Sequence, residues 1–158
     1  MHATQPPIPV DTALRIEPAA DRAALTAGMA LTSEPNTVDR DLLHRSIRHA
    51  AESGAARMWL AWDDSEPISV VWIGRHRACL GVMEMMTPER HQRRGAGRAL
   101  LTRALAAEWR DETELAVLVA TPAGRRLYES IGFKTSDEIL TRFRGLDDDV
   151  LAAIGQPG

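Results

Sequence analysis

The 158-residue chain has one cysteine (Cys79), one lysine (Lys134) and one tyrosine (Tyr128), and aromatic residues make up only 4% of it. A single cysteine excludes an intrachain disulfide and a multi-cysteine zinc site. There is no excess of basic charge, the formal net charge being −3. That argues against a protein whose main task is coating a nucleic-acid backbone. Residues 1–7 lack a basic segment followed by an apolar core, so no secretory signal is read there. No apolar run approaches the ~20 residues needed to cross a bilayer. The location expected from these absences is the cytoplasm, with no membrane partner.

What is present fits one compact globular domain, for which about 100–200 residues is the usual span. With 44% hydrophobic and 26% charged residues the chain is too apolar to be disordered. Residues 1–12 and 154–158 are rich in proline, glycine and polar residues and are expected to be flexible tails around a domain spanning 13–153. No internal repeat interrupts an alternation of short strand-like and longer helix-like segments. That pattern predicts an α/β (α+β mixed) fold.

Leu14 to Ile16 alternates like a first strand, and Asp21 opens an Ala/Leu-rich helix that runs to Leu31. A second helix is expected over 39–51, ending before Gly54. Residues 57–62, 68–73 and 79–86 read as three consecutive antiparallel strands. The apolar stripe Leu100, Leu101, Ala104, Leu105 and Trp109 predicts a helix over 97–109. The continuous apolar run 115–120 reads as a strand buried on both faces. Thr121-Pro122 opens a helix that Gly132 ends, and a last strand is expected over 138–143.

Chemistry concentrates between Met83 and Leu101, a strand, loop and helix in succession. Gly95 and Gly97 remove side chains where the loop becomes the helix, so consecutive backbone N–H groups can face one anion with help from the helix dipole. Arg90, Arg93, Arg94 and Arg98 can add charge-assisted hydrogen bonds around a di- or triphosphate. Two commoner phosphate loops fail: no Lys-Ser/Thr pair ends a P-loop, and Leu100 stands where the dinucleotide fingerprint needs a small residue. No aromatic residues interleave with the arginines, so a nucleic-acid surface explains the cluster less well.

Gln92-x-x-Gly95-x-Gly97 resembles the pyrophosphate loop of the GNAT superfamily of acetyl-CoA-dependent N-acetyltransferases. Leu127 to Phe133, an aromatic-bearing helix that ends in Gly-Phe, is similar to that family's late motif. The resemblance runs from about residue 13 to 144 and implies a central, mostly antiparallel, splayed sheet of about six to seven strands flanked by about four helices. It further implies acetyl-CoA as co-substrate, no metal, and an amine as acceptor, with a homodimer as a family-level expectation.

By the same resemblance, main-chain groups of Met85, Met86 and Thr87 hold the pantetheine arm. Gln92 and the amides of Arg93, Arg94, Gly95, Ala96, Gly97 and Arg98 hold the pyrophosphate. Tyr128 matches the usual general acid, which protonates the departing thiolate. Thr121 replaces a common asparagine at the start of the late helix, and Gly124 a frequent alanine. The loop before Gln92 is one residue longer than the commonest spacing.

An alkylamine with a pKa near 10.4 must shed a proton to react at neutral pH, so a base or water relay is needed. Glu84 is the candidate, directly or through water, with His76 as the alternative. Cys79 reads as a core residue rather than an acyl-accepting nucleophile, which favours direct transfer. Trp59, Trp62 and Trp72 either fill the core or line an acceptor pocket. Met83, Met85 and Met86 could accommodate a longer acyl chain. The functional expectation is transfer of an acetyl group to a primary amine of a small molecule; the alternative is an acyl-CoA-binding sensor or partner-docking module without turnover.

Overall fold

The computed structural model describes residues 1–32 and 49–136. Among the described residues six strands form one sheet in the order β1-β6-β5-β4-β3-β2: β1 His2–Ala3, β2 Arg15–Pro18, β3 Ala56–Asp63, β4 Glu66–His76, β5 Cys79–Met86 and β6 Leu115–Leu118. Every pairing is antiparallel except β5 with β6. The mixed, mostly antiparallel sheet and its flanking helices match the fold that the sequence implies.

Helix α1 (Arg22–Leu31) starts where Asp21 caps it, its carboxylate accepting the Ala24 N–H at 2.8 Å. It lies on one face of the sheet over Met58, Leu60, Val70 and Trp72. Helix α2 (Ala96–Glu108) and helix α3 (Arg125–Ser130) cover the other face, which buries Trp59, Ala61, Val71, Ile73, Leu80 and Val82 against Leu100, Leu101, Ala104 and Leu105. The period of two along β3 and β4 sends alternate side chains to the two layers. Residues 49–52 are helical and Gly54 follows with a φ of +71°, a left-handed stop as expected. The rest of the helix expected over 39–51, and the strand expected over 138–143, lie outside the described residues.

Two expectations change. The chain's first residues were expected to be a loose tail, yet His2 and Ala3 pair with Val117 and Ala116, and Ala3 joins the core. The Met1 ammonium donates to the Leu118 carbonyl at 2.8 Å and His2 bridges Lys134, so backbone hydrogen bonds hold what composition alone reads as loose. The run 115–120 was expected to be buried on both faces. Only Ala116 and Leu118 are buried in β6, and Val119 is 71% exposed. The strands buried on both faces are β3 and β4, which lie between α1 and α2.

Candidate active site

Strands β5 and β6 run parallel through four residue pairs, from Cys79↔Leu115 to Val82↔Leu118. Beyond that point β6 ends while β5 continues to Met86, so the sheet opens beside Met83 to Met86. Opposite β4 the register slips: Trp72 faces Met83 and Val70 faces Met86, so Glu84 and Met85 both stand against Val71. This is a β-bulge, and Glu84 takes the left-handed conformation with a φ of +47°. The bulge turns Met85 toward the α2 layer and Met86 toward the α1 layer.

At this opening lies a cavity of about 460 Å3, a size suited to a small ligand or part of a cofactor. The free end of β5 supplies Met85, Met86 and Thr87 to its wall. The loop and the start of α2 supply Gln92, Arg93, Gly95, Ala96, Gly97 and Arg98, and the approach to α3 supplies Thr121 and Tyr128. The structure therefore brings together eleven of the thirteen residues expected from sequence.

The other two are placed elsewhere. Glu84 is exposed and does not line the cavity, because the bulge turns its side chain outward. The Arg94 side chain ion-pairs with Asp63, the last residue of β3, at 3.3 Å and is likewise absent from the lining. Cys79 lies at the far end of β5, and its thiol contacts the Leu80 carbonyl. His76 is exposed at the end of β4, also away from the cavity. Trp59 and Trp72 are core residues, Trp59 donating its indole N–H to Glu108 at 3.0 Å, while Trp62 stacks under the Arg15 guanidinium.

Loop geometry follows from local chemistry. Gly95 is the residue before α2 and has a φ of +81°, a conformation that a side chain would strain, so the first amides of α2 are left open to the cavity. The loop is braced at several points. Gln92 donates its amide N–H to the Thr87 carbonyl at 3.0 Å, and the Ser69 hydroxyl sits 2.7 Å from that of Thr87 and donates to the Met86 carbonyl. Glu66, at the start of β4, receives Arg90 at 3.3 Å and His91 at 3.2 Å. The Arg90 hydrogen bond is the main reason the Glu66 carboxyl lies below its ordinary value. With Arg90 and Arg94 committed to the β3–β4 turn, Arg93 and Arg98 supply the positive charge on the lining.

Tyr128 is 9% exposed and packs edge-on against Phe133, with ring centroids 6.2 Å apart. Burial pushes its phenol above the usual value, so it stays protonated through the neutral range. Gly124 makes room for the ring: a Cβ there would lie 3.1 Å from Tyr128 Cε2. Thr121 caps this turn, accepting the Gly124 N–H on its hydroxyl at 3.1 Å. Sequence reasoning missed His91, Ala123 and Leu127 as lining residues and Glu66 and Ser69 as braces. Glu66 and Ser69 reach their partners across more than fifteen residues, for which no local pattern exists.

A glycine-opened helix start, a strand end freed from its ladder and a buried phenol thus share the wall of one open cavity. The profile of the acetyltransferase (GNAT) domain matches residues 24–147, and the chain belongs to that family. No curated protein gives a significant match. Among solved structures, an aminoglycoside 6'-N-acetyltransferase from Acinetobacter haemolyticus superposes with a TM-score of 0.67 at 14% identity, covering 84% of this chain and 99% of the other. A protein from Clostridium acetobutylicum described as a predicted acetyltransferase with acetyl-CoA gives 0.63 at 18% identity, over 82% and 96%. Glucosamine-6-phosphate N-acetyltransferase from Arabidopsis thaliana gives 0.60 at 7% identity, over 84% and 99%. These likenesses establish the fold. Among the described residues no helix is long and apolar enough to cross a membrane.

Proposed function

We propose that the chain transfers the acetyl group of acetyl-CoA to a primary amine of a small molecule, directly and in a ternary complex. The observation that carries this reading is the single cavity joining the open amides after Gly95, the unpaired end of β5 and the Tyr128 phenol. The amides from Arg93 to Arg98 and the side chains of Arg93 and Arg98 suit a pyrophosphate. Met85, Met86 and Thr87 offer a strand edge to a pantetheine arm, whose amides can pair with it as another strand would. Gln92 serves by holding Thr87.

Chemically, the amine nitrogen attacks the thioester carbonyl carbon; a C–N bond forms, the C–S bond breaks, and Tyr128 gives its proton to the departing sulfur. A raised phenol pKa keeps that proton in place until the thiolate develops. Glu84 is exposed, so a role for it in taking the amine's proton requires an intervening water. Cys79 is remote from the cavity, which favours direct transfer over an acyl-enzyme.

The test is thermal unfolding with and without acetyl-CoA, followed by thiol release with a panel of small amines. A ligand at about 100 times its Kd adds roughly 2.7 kcal/mol and raises Tm by several degrees. No rise with acetyl-CoA or coenzyme A removes the reading. A rise without thiol release for any amine leaves an acyl-CoA-binding module in its place.

A further inference from the structure

The free end of β5 is hydrogen-bonded to the neighbouring strand through one buried hydroxyl. Ser69, on β4, is fully buried, with its Oγ 3.0 Å from the Met86 carbonyl oxygen and 2.7 Å from Thr87 Oγ1. A hydroxyl has one hydrogen to give, and a carbonyl oxygen only accepts. The arrangement that satisfies both contacts puts the Ser69 hydrogen on Met86 and the Thr87 hydrogen on Ser69. Thr87 Oγ1 is then left with lone pairs alone.

That oxygen stands between the end of β5 and the start of α2, the two walls of the cavity. Thr87 belongs to the lining, and a Cβ added to Gly97, the second residue of α2, would lie 3.2 Å from Oγ1. The missing side chain at position 97 therefore leaves space beside it. Residue 87 is fixed from the loop as well, since the Gln92 amide donates to its backbone carbonyl. Among the described residues none donates an N–H to Thr87 Oγ1. A phosphate oxygen, itself an acceptor, is mismatched at this point, and an N–H is matched. Ser69 sets that polarity without reaching the cavity wall itself.

We infer that Ser69 is a positioning residue of the co-substrate site: by holding the Thr87 hydrogen inside the sheet, it makes Thr87 Oγ1 an acceptor that takes one amide N–H of the pantetheine arm. The inference rests on reading the cavity as a coenzyme A site, and it adds a side-chain contact of fixed polarity to the strand edge.

The probes are coenzyme A and two analogues of it, each with one of the two pantetheine amides replaced by an ester. The replacement removes one N–H and keeps the carbonyl and the chain length. Calorimetry gives Kd for each probe with the unmodified chain, Thr87→Val and Ser69→Ala, with melting temperatures recorded beside them. For one of the two analogues, the preference for coenzyme A is expected to be about two- to tenfold larger in the unmodified chain than in Thr87→Val, the worth of one hydrogen bond. Ser69→Ala frees the Thr87 hydrogen to turn toward the ligand, so it is expected to lose the same preference although the Thr87 hydroxyl remains. Ser69→Cys, a weaker acceptor of similar size, should fall between the two and serves in place of Ser69→Ala if that variant does not fold. Were Ser69 merely structural, its removal would weaken all three probes by a common factor, and that result overturns the inference. An undiminished preference in Thr87→Val overturns it too. Absence of coenzyme A binding to the unmodified chain overturns it together with the coenzyme reading.

Discussion

The two halves of β5 have the same neighbour on one side and different fates on the other. From Cys79 to Val82 the strand is paired to both β4 and β6, and Leu80 is fully buried. From Met83 to Met86 it is paired only to β4, through a bulge, and no described strand stands on its other side. The first half spends its backbone groups on the ladder and its side chains on the core. The second half keeps backbone groups free, and every lining feature of the cavity collects around it. Site and scaffold thus divide along one strand at the point where the parallel ladder stops.

The sharpest way to break that division is at Tyr128, which lines the cavity beside the free half. Tyr128→Phe keeps the ring contact with Phe133 and removes only the proton. Steady-state kinetics should show kcat reduced by about 10²–10⁴-fold, the usual worth of a positioned general acid, with the affinity for acetyl-CoA unchanged. Because burial raises the phenol pKa, the acid form persists to high pH, and the unmodified enzyme should show no loss of rate from this group below about pH 10. A basic limb near neutrality that vanishes in the variant would contradict the placement.

At the paired half the expected effect is on stability instead. Leu80→Ala opens space in a fully packed layer and should cost about 2–5 kcal/mol in denaturant unfolding. Met85→Ala, within the bulge and half-buried, should cost less stability and weaken acetyl-CoA binding more. Equal stability losses at the two positions would erase the distinction between the halves.

Much of this was legible in the chain because local chemistry dictates it. Asp21, the apolar stripe of α2, Gly95 and the run from Ala56 to Met86 each act over a few residues, and their elements fall where their spacing predicts, while α3 ends before Gly132 as expected but starts at Arg125, after a turn, rather than at Thr121-Pro122. The glycine loop and Tyr128 carried the site for the same reason. What escaped was set by distant partners. The strand at His2 and Ala3 exists because β6 offers an edge to pair with, and β6 is half-exposed because no described helix lies against its outer face. Glu66 and Asp63 look like ordinary turn acids until the fold brings Arg90, His91 and Arg94 against them. Glu84 is the only carboxylate on the strand beside the opening, which makes it the candidate base in the sequence, but the bulge leaves its side chain exposed and off the cavity wall.

A smaller effect is expected at Gly124. An added methyl would sit 3.1 Å from the Tyr128 ring and 3.3 Å from the Thr121 hydroxyl, tighter than ordinary contact. The ring must move by a few tenths of an ångström for Gly124→Ala to fold. A displacement of that size at a proton donor should lower kcat by about tenfold or less while leaving the cofactor affinity near its original value. An unchanged kcat would mean that the phenol's position tolerates movement and that its contribution is less geometric than the packing suggests.

The smallest expected effect separates the two roles left open for Glu84. Its backbone is left-handed at a φ of +47°, so Glu84→Gly relieves strain and removes the carboxylate together, whereas Glu84→Gln removes the charge and keeps the strain. If the carboxylate takes the amine's proton through water, both variants lose a few-fold in kcat/KM for the amine, because water can still carry the proton to bulk solvent. If the residue serves only to shape the bulge, Glu84→Gln retains full activity and Glu84→Gly alone alters it, by loosening the turn that aims Met85 at the cavity. Measuring kcat/KM for both variants beside their melting temperatures decides whether the bulge contributes a charge to the reaction or only a direction.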